Sequence, residues 1–282
     1  MTPFASILKV PVGQPPIKAE PDFNVGGLVI TNSMLASLLL VLLVVLVVPW
    51  TARHLERRPS RFQAFLELAI GGMYNFAKDS AGETGARLFP LFAGLLFYLL
   101  MCNWIALVPG FGQLFVGNGK ETWPLLRGVN ADYNATLALA LMTFTLIHFN
   151  GFRARKLGHL MTYINIPALF GVFFRQPRPE RPVGYLTGFL QGIIDVLVGF
   201  FELIGEFAKI LSLSVRLFAN VYGGEMLIAI ILGLLAPLAL PFIGLEFVIV
   251  AVVQAFIFGL LTIIYISLVA EHGEQEAEHE PA

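Results

Sequence analysis

The sequence predicts an all-α integral membrane protein. About five membrane-embedded helices are expected, plus one amphipathic interfacial helix, with the last two embedded helices forming a long, steeply tilted hairpin. Three observations predict this. The 282 residues are 57% hydrophobic and 13% charged, against roughly 25% charged in an ordinary soluble domain. Apolar runs long enough to cross a ~30 Å hydrocarbon layer recur along the chain. The loops between them alternate between basic and non-basic, the pattern of a multi-pass protein.

The bulk numbers also exclude. A net charge of −1 argues against nucleic acid as a partner. Cys102 is the single cysteine, so no disulfide framework exists, and within FYLLMCNWIALV it reads as a small buried hydrophobe. The start, MTPFASILKVPVGQPP, lacks the basic region and apolar stretch of a cleaved signal peptide.

Each element follows in order. Residues 1–27 are rich in Pro and Gly and read as an N-terminal extension. Residues 28–270 read as one membrane domain. The first span is 28–48, LVITNSMLASLLLVLLVVLVV, and Pro49 and Trp50 end it at the interface. The arginine-rich TARHLERRPSR that follows belongs in the cytoplasm, which leaves the N-terminus outside. Over 61–79, Phe62, Phe65, Leu66, Ala69, Ile70, Met73 and Phe76 recur at three- and four-residue spacing. That is an amphipathic helix lying along a surface, and Ser60 with Gln63 forms a capping box at its start.

Residues 88–109 form the second span, ending in NWIALVPG. The loop 110–132 is Gly-rich with few basic residues and belongs outside. Its PGFGQLFVGNGK lacks the spacing of a phosphate loop. The third span runs over 133–152, and FRARK returns the chain to the cytoplasm. Residues 158–174 are apolar but have basic flanks on both sides, so they dip into the membrane or lie on it. The tilted hairpin covers about 183–270. Residues 183–235 contain no internal proline, APLALPF makes the turn, and 242–270 are apolar again. The acidic residues 271–282 read as a disordered tail.

Polar side chains then single out the hairpin. On one helix at about 100° per residue, take Arg216 as zero. Gln191 and Lys209 then fall at about 20° and Glu202 and Asn220 at about 40°. Asp195 falls at about 60° and Glu206 at about 80°, all to the same side. These seven share a sector of roughly 80° on an otherwise apolar helix. Arginine at membrane depth costs about 2.5–3.5 kcal/mol and cannot shed its proton. No acid stands three or four positions from Arg216, so its counter-charge lies elsewhere. Glu206 and Lys209 have the spacing of an ordinary helical ion pair. Glu225 falls about 180° from Arg216, and on the last helix Glu246 and Gln254 stand eight residues, about 80°, apart. A hairpin lets both meet Glu225, and such groups in a wet pocket relay protons.

At SLSVRLFANVYGGE the chain resembles subunit a of the F-type ATP synthases, whose motif has the form SLSLRLFGNxxAGE. The likeness recurs in QAFIFGLLTIIYIS (254–267), ADYNATLALAL (131–141) and NWIALVPG (103–110), in matching order. The resemblance implies a proton-translocating stator subunit, not an enzyme by itself and without a cofactor. Its implied partners are the c-ring, peripheral-stalk b subunits and membrane lipid. It implies that Arg216 faces the carboxylate of each passing c subunit. It places Glu225, Gln254, Glu246, Asn220 and Asp132 on the ion path, supported by Glu202, Glu206, Lys209, Asp195 and Gln191. One departure stands out: many relatives carry an acid or His seven residues before the glutamine. Here that residue is Phe247, with Glu246 beside it. Ala219 and Gly223 exchange small residues for small ones.

The expected ion is H⁺, with Na⁺ left open because the coordinating carboxylate belongs to the c subunit. The expected location is a bacterial plasma membrane, N-terminus outside and C-terminus cytoplasmic, with an organelle inner membrane as the alternative. The rival reading is a stand-alone ion channel or secondary transporter. A membrane enzyme would need a clustered site, and the five histidines are scattered.

Overall fold

The computed structural model describes residues 21–25, 28–55, 59–108, 115–117, 122–155 and 185–279. The 158–174 segment and most of the N-terminal extension fall outside these. Among the described residues, five helices are long and apolar enough to cross a membrane, and the protein is an all-α integral membrane protein. Two short hairpins lie outside the helices, β1 (Pro21–Val25) with β2 (Leu28–Thr31) and β3 (Phe115–Gly117) with β4 (Thr122–Pro124).

Helix α1 spans Asn32–Arg53. It starts later than the predicted span because β2 takes residues 28–31. The Thr31 hydroxyl caps it, accepting from the Met34 amide at 3.3 Å. It also runs through Pro49. Only Asn32, Ser33, Ala36 and Leu40 are buried. The remaining turns expose leucine and valine all round, as a lipid-facing helix must.

Helix α2 spans Arg61–Leu107 and unites the predicted interfacial helix with the second span. Ser60 caps it, accepting from the Gln63 amide at 3.2 Å. A sharp break at Ala81–Gly82 separates its two parts, with Gly82 at φ 56° and ψ −147°. This conformation is essentially restricted to glycine. Phe62, Phe65 and Leu68 on the first part are exposed, and Lys78 pairs with Glu83 across the break at 2.9 Å. Nothing lies within 4 Å of a Cβ added at Gly82, so Gly82→Ala tests backbone strain alone. It is expected to cost about 1–3 kcal/mol. A lowered thermal midpoint of the assembled protein checks this, with Gly71→Ala, also open to space, as the silent control.

Helix α3 covers Tyr133–Arg155. Helix α4 covers Tyr185–Leu245, broken at Leu235 (φ −148°, ψ 82°). A π-helical turn, Glu246–Val250, follows, and α5 runs over Ala251–His279. The break falls on one residue, Leu235, just before the predicted turn at APLALPF, whose own residues are helical. Helix resumes at once because Pro237 stands in the next first turn, where no N–H is needed.

The core joins α2 (Phe92, Leu96, Leu99), α4 (Leu213, Leu217) and α5 (Ala255, Phe258, Ile263). Hydroxyl pairs tie α3 to two of these helices, Thr136 to Ser214 of α4 and Thr143 to Thr262 of α5, each at 3.5 Å. The outer face of α4 is different. Phe201, Phe207, Leu211 and Val215 are exposed, so one side of this helix packs on the protein and the other does not.

Candidate functional site

The site lies where α4 and α5 face each other. Buried Ile210, Leu213 and Leu217 turn one flank of α4 inward, while Leu211 and Val215 leave the other uncovered. Arg216 stands at the seam between them and is exposed. Its Nη2 donates to the Ser212 hydroxyl at 3.5 Å. Among the described residues it makes no ion pair. With Leu213 and Leu217 it lines a small cleft closed by Gln254 and Phe258 of α5. Asn220, one turn on, is half-buried.

The predicted stripe divides at this seam. Glu206 turns inward, 4% exposed, and accepts from Lys209 Nζ at 2.6 Å. Lys209 also sits 5.2 Å from the Tyr265 ring centroid of α5, a cation–π distance. These two form the ion pair their i, i+3 spacing allows. Glu202 lies exposed a turn earlier. Gln191 and Asp195 are on the α4 backbone, and their side chains fall outside the described residues.

Farther along, Glu225 of α4, Glu246 of the π turn, Gln254 of α5 and Asn103 of α2 line one small cleft. Gln254 also walls the Arg216 cleft, so one amide joins the two. A Cβ on Gly224 would collide with the Glu246 carboxylate, and one on Gly128 would stand 2.7 Å from Glu225 Oε1. Each carboxylate thus rests against a glycine.

The π turn explains how Glu246 arrives there. On a straight helix its eight residues to Gln254 amount to about 80°. A π turn takes in one extra residue, which reduces the separation to that of seven, about 20°. Helix α2 pins the turn, since Trp104 Nε1 donates to the Phe247 carbonyl at 2.9 Å and Asn103 Nδ2 to the Ala251 carbonyl at 3.3 Å. Phe247 stacks on Trp104, 4.8 Å between centroids.

Asp132 lies off this wall. Buried at 3% exposure, it accepts from the Ser33 hydroxyl at 2.6 Å and from the Asn134 amide at 3.1 Å. It therefore ties α1 to the start of α3. The sequence reading missed Arg127, Asn103 and Asn130, all buried. Asn130 donates to Asn103 Oδ1 at 2.7 Å, and Arg127 to the Ala131 carbonyl at 3.1 Å. A polar residue inside FYLLMCNWIALV was the signal for Asn103.

Fold and site together define a polytopic membrane protein with a charged seam and a two-carboxylate cleft between two long helices. The family model described as ATP synthase A chain matches residues 34–267. The chain is 33% identical over 232 residues to "ATP synthase subunit a" of Desulfotalea psychrophila, covering 80% of this chain and 79% of that protein. To the proteins of the same name from Geotalea daltonii and Citrifermentans bemidjiense it is 31% and 32% identical, covering 83% of this chain in each case and 86% and 85% of theirs. The chain belongs to the ATP synthase A chain family.

Proposed function

We propose that this chain is the proton-translocating stator subunit of a rotary F-type ATP synthase in a bacterial plasma membrane. It makes no phosphate bond itself. It lies against a ring of c subunits, each with a carboxylate at membrane depth, and is held by peripheral-stalk b subunits. The observation that carries the reading is Arg216. It is a permanent cation at the border of the uncovered apolar face of α4, without an ion pair among the described residues.

The chemistry follows from that charge. A neutral carboxyl arriving from lipid meets the guanidinium, which favours its ionised form, and it gives up its proton. The fixed cation also stands between two aqueous half-channels, so protons cross only by riding the ring. The outer half-channel uses Glu225, Glu246 and Gln254, with Asp132 near its mouth. Two carboxylates in one cleft repel as anions, and a shared proton relieves this, so the pair can hand protons on. The inner half-channel follows Glu202, Glu206, Lys209, Asp195 and Gln191, and Asn220 flanks the arginine. The 40-residue stretch Val196–Leu235 reaches about 60 Å, twice a ~30 Å hydrocarbon layer, which supports a steep tilt.

Reconstitution tests the reading. Proton flux into liposomes is expected from this chain together with its c-ring, and none from the chain alone. Flux through the purified single chain would instead establish the stand-alone channel.

A further inference from the structure

The loop that joins the second and third spans is buried where it meets the two-carboxylate cleft. Connecting segments usually run over the surface, yet Arg127, Val129, Asn130, Ala131 and Asp132 are 7%, 1%, 0%, 0% and 3% exposed. Gly128 is buried among them. A Cβ added there would stand 2.7 Å from Glu225 Oε1 and 3.0 Å from the Ala106 side chain. Asn130 reaches Asn103 on the cleft wall. The loop is thus a plug against the cleft, and it carries a buried arginine. The Arg127 guanidinium is held at the Ala131 carbonyl at 3.1 Å. Ala131 and the Glu225 carboxylate both lie within 4 Å of a Cβ added at Gly128, so the loop brings a buried cation to the carboxylate's side of the cleft.

We infer that Arg127 is a positioning residue of the ion path: its buried guanidinium supplies the fixed counter-charge that lets Glu225 and Glu246 both ionise with one net negative charge in the cleft. The inference rests on the stator reading above and deepens it. With both acids ionised, two carboxylates and one guanidinium leave a single net negative charge. Without Arg127 the same cleft holds two, and burial makes that costly. Arg216 is the gate at the rotor. Arg127 has the different task of setting the charge of the outer relay.

The test uses the whole assembled ATP synthase, with the c oligomer as the check of assembly, and reads ATP synthesis driven by a proton gradient. Arg127→Gln is expected to slow it roughly tenfold, the effect of stripping a buried charge of its partner, whereas Arg127→Lys keeps at least half the rate. Arg127→Gln combined with Glu246→Gln restores the charge count and is expected to be about as slow as the slower single variant, not slower by the product of the two losses. A purely structural arginine would add its loss independently of the acid. The inference is overturned if the two losses multiply, or if an assembled Arg127→Lys complex is as slow as Arg127→Gln. Glu225→Gln separates the two levels. Normal turnover in that variant sinks the ion-path reading itself. A slow Glu225→Gln beside a normal Arg127→Gln sinks the role of Arg127 alone.

Discussion

Arg216→Ala is expected to abolish proton-driven ATP synthesis while the complex still assembles. Assembly survives because the side chain stands at the edge of an exposed face, with a 3.5 Å contact to Ser212 inside its own chain. The function does not survive, because nothing else in the seam among the described residues replaces the charge. Lys209, the other cation there, is 2.6 Å from Glu206 and committed to it. A preorganised charge of this kind is worth roughly 100-fold or more in rate. Each proton crossing 100 mV carries about 2.3 kcal/mol, and without the cation that energy leaks past the rotor. Arg216→Lys is expected to fail too, since a lysine can lose its proton in a desolvated site. Synthesis by inverted membrane vesicles decides the matter, with the c oligomer counted on a gel. An assembled Arg216→Ala complex that makes ATP from a gradient would refute the gate.

The helix arithmetic made Arg216, Asn220 and the Glu206–Lys209 spacing legible, because periodicity fixes where side chains stand on one helix. It does not fix what stands opposite. The shared polar sector straddles the seam, so its Glu206 edge faces the core and its Arg216 edge faces out. Glu246 was legible as an acid but not as a neighbour of Gln254 on one helix face. The π turn that moves it depends on donors from α2, Asn103 and Trp104, which stand 148 and 143 residues from the carbonyls they bind. Arg127 and Asn130 lie in a loop, where no period exists to read. Helix ends were displaced by local chemistry. The Thr31 cap began α1 late, and Gly82 let α2 bend sharply between the two predicted helices instead of ending. The family resemblance rested on four short blocks, and all four lie within residues 34–267, the stretch that the family model matches.

Gly224→Ala is expected to cripple proton transport without harming the fold. The three atoms nearest a Cβ at this position all belong to the Glu246 carboxylate. The obstacle is the far end of a flexible side chain, so it swings aside at little cost in stability. The fold is kept and the carboxylate is lost from its place. Since misplacing a reacting group by about 1 Å can cost on the order of 100-fold, a drop of roughly tenfold or more in proton-driven synthesis is expected. Gly223→Ala supplies the contrast, because its Cβ points into open space and turnover should be normal. Gly128→Ala offers an independent route to the same result, pressing on Glu225 Oε1 from the loop side of the cleft. If both Gly224→Ala and Gly128→Ala assemble and transport normally, the carboxylates need not sit where they do. The outer relay would then have to run through other groups. If both slow transport and Gly223→Ala does not, the loss follows the two carboxylates and not the helix that carries them.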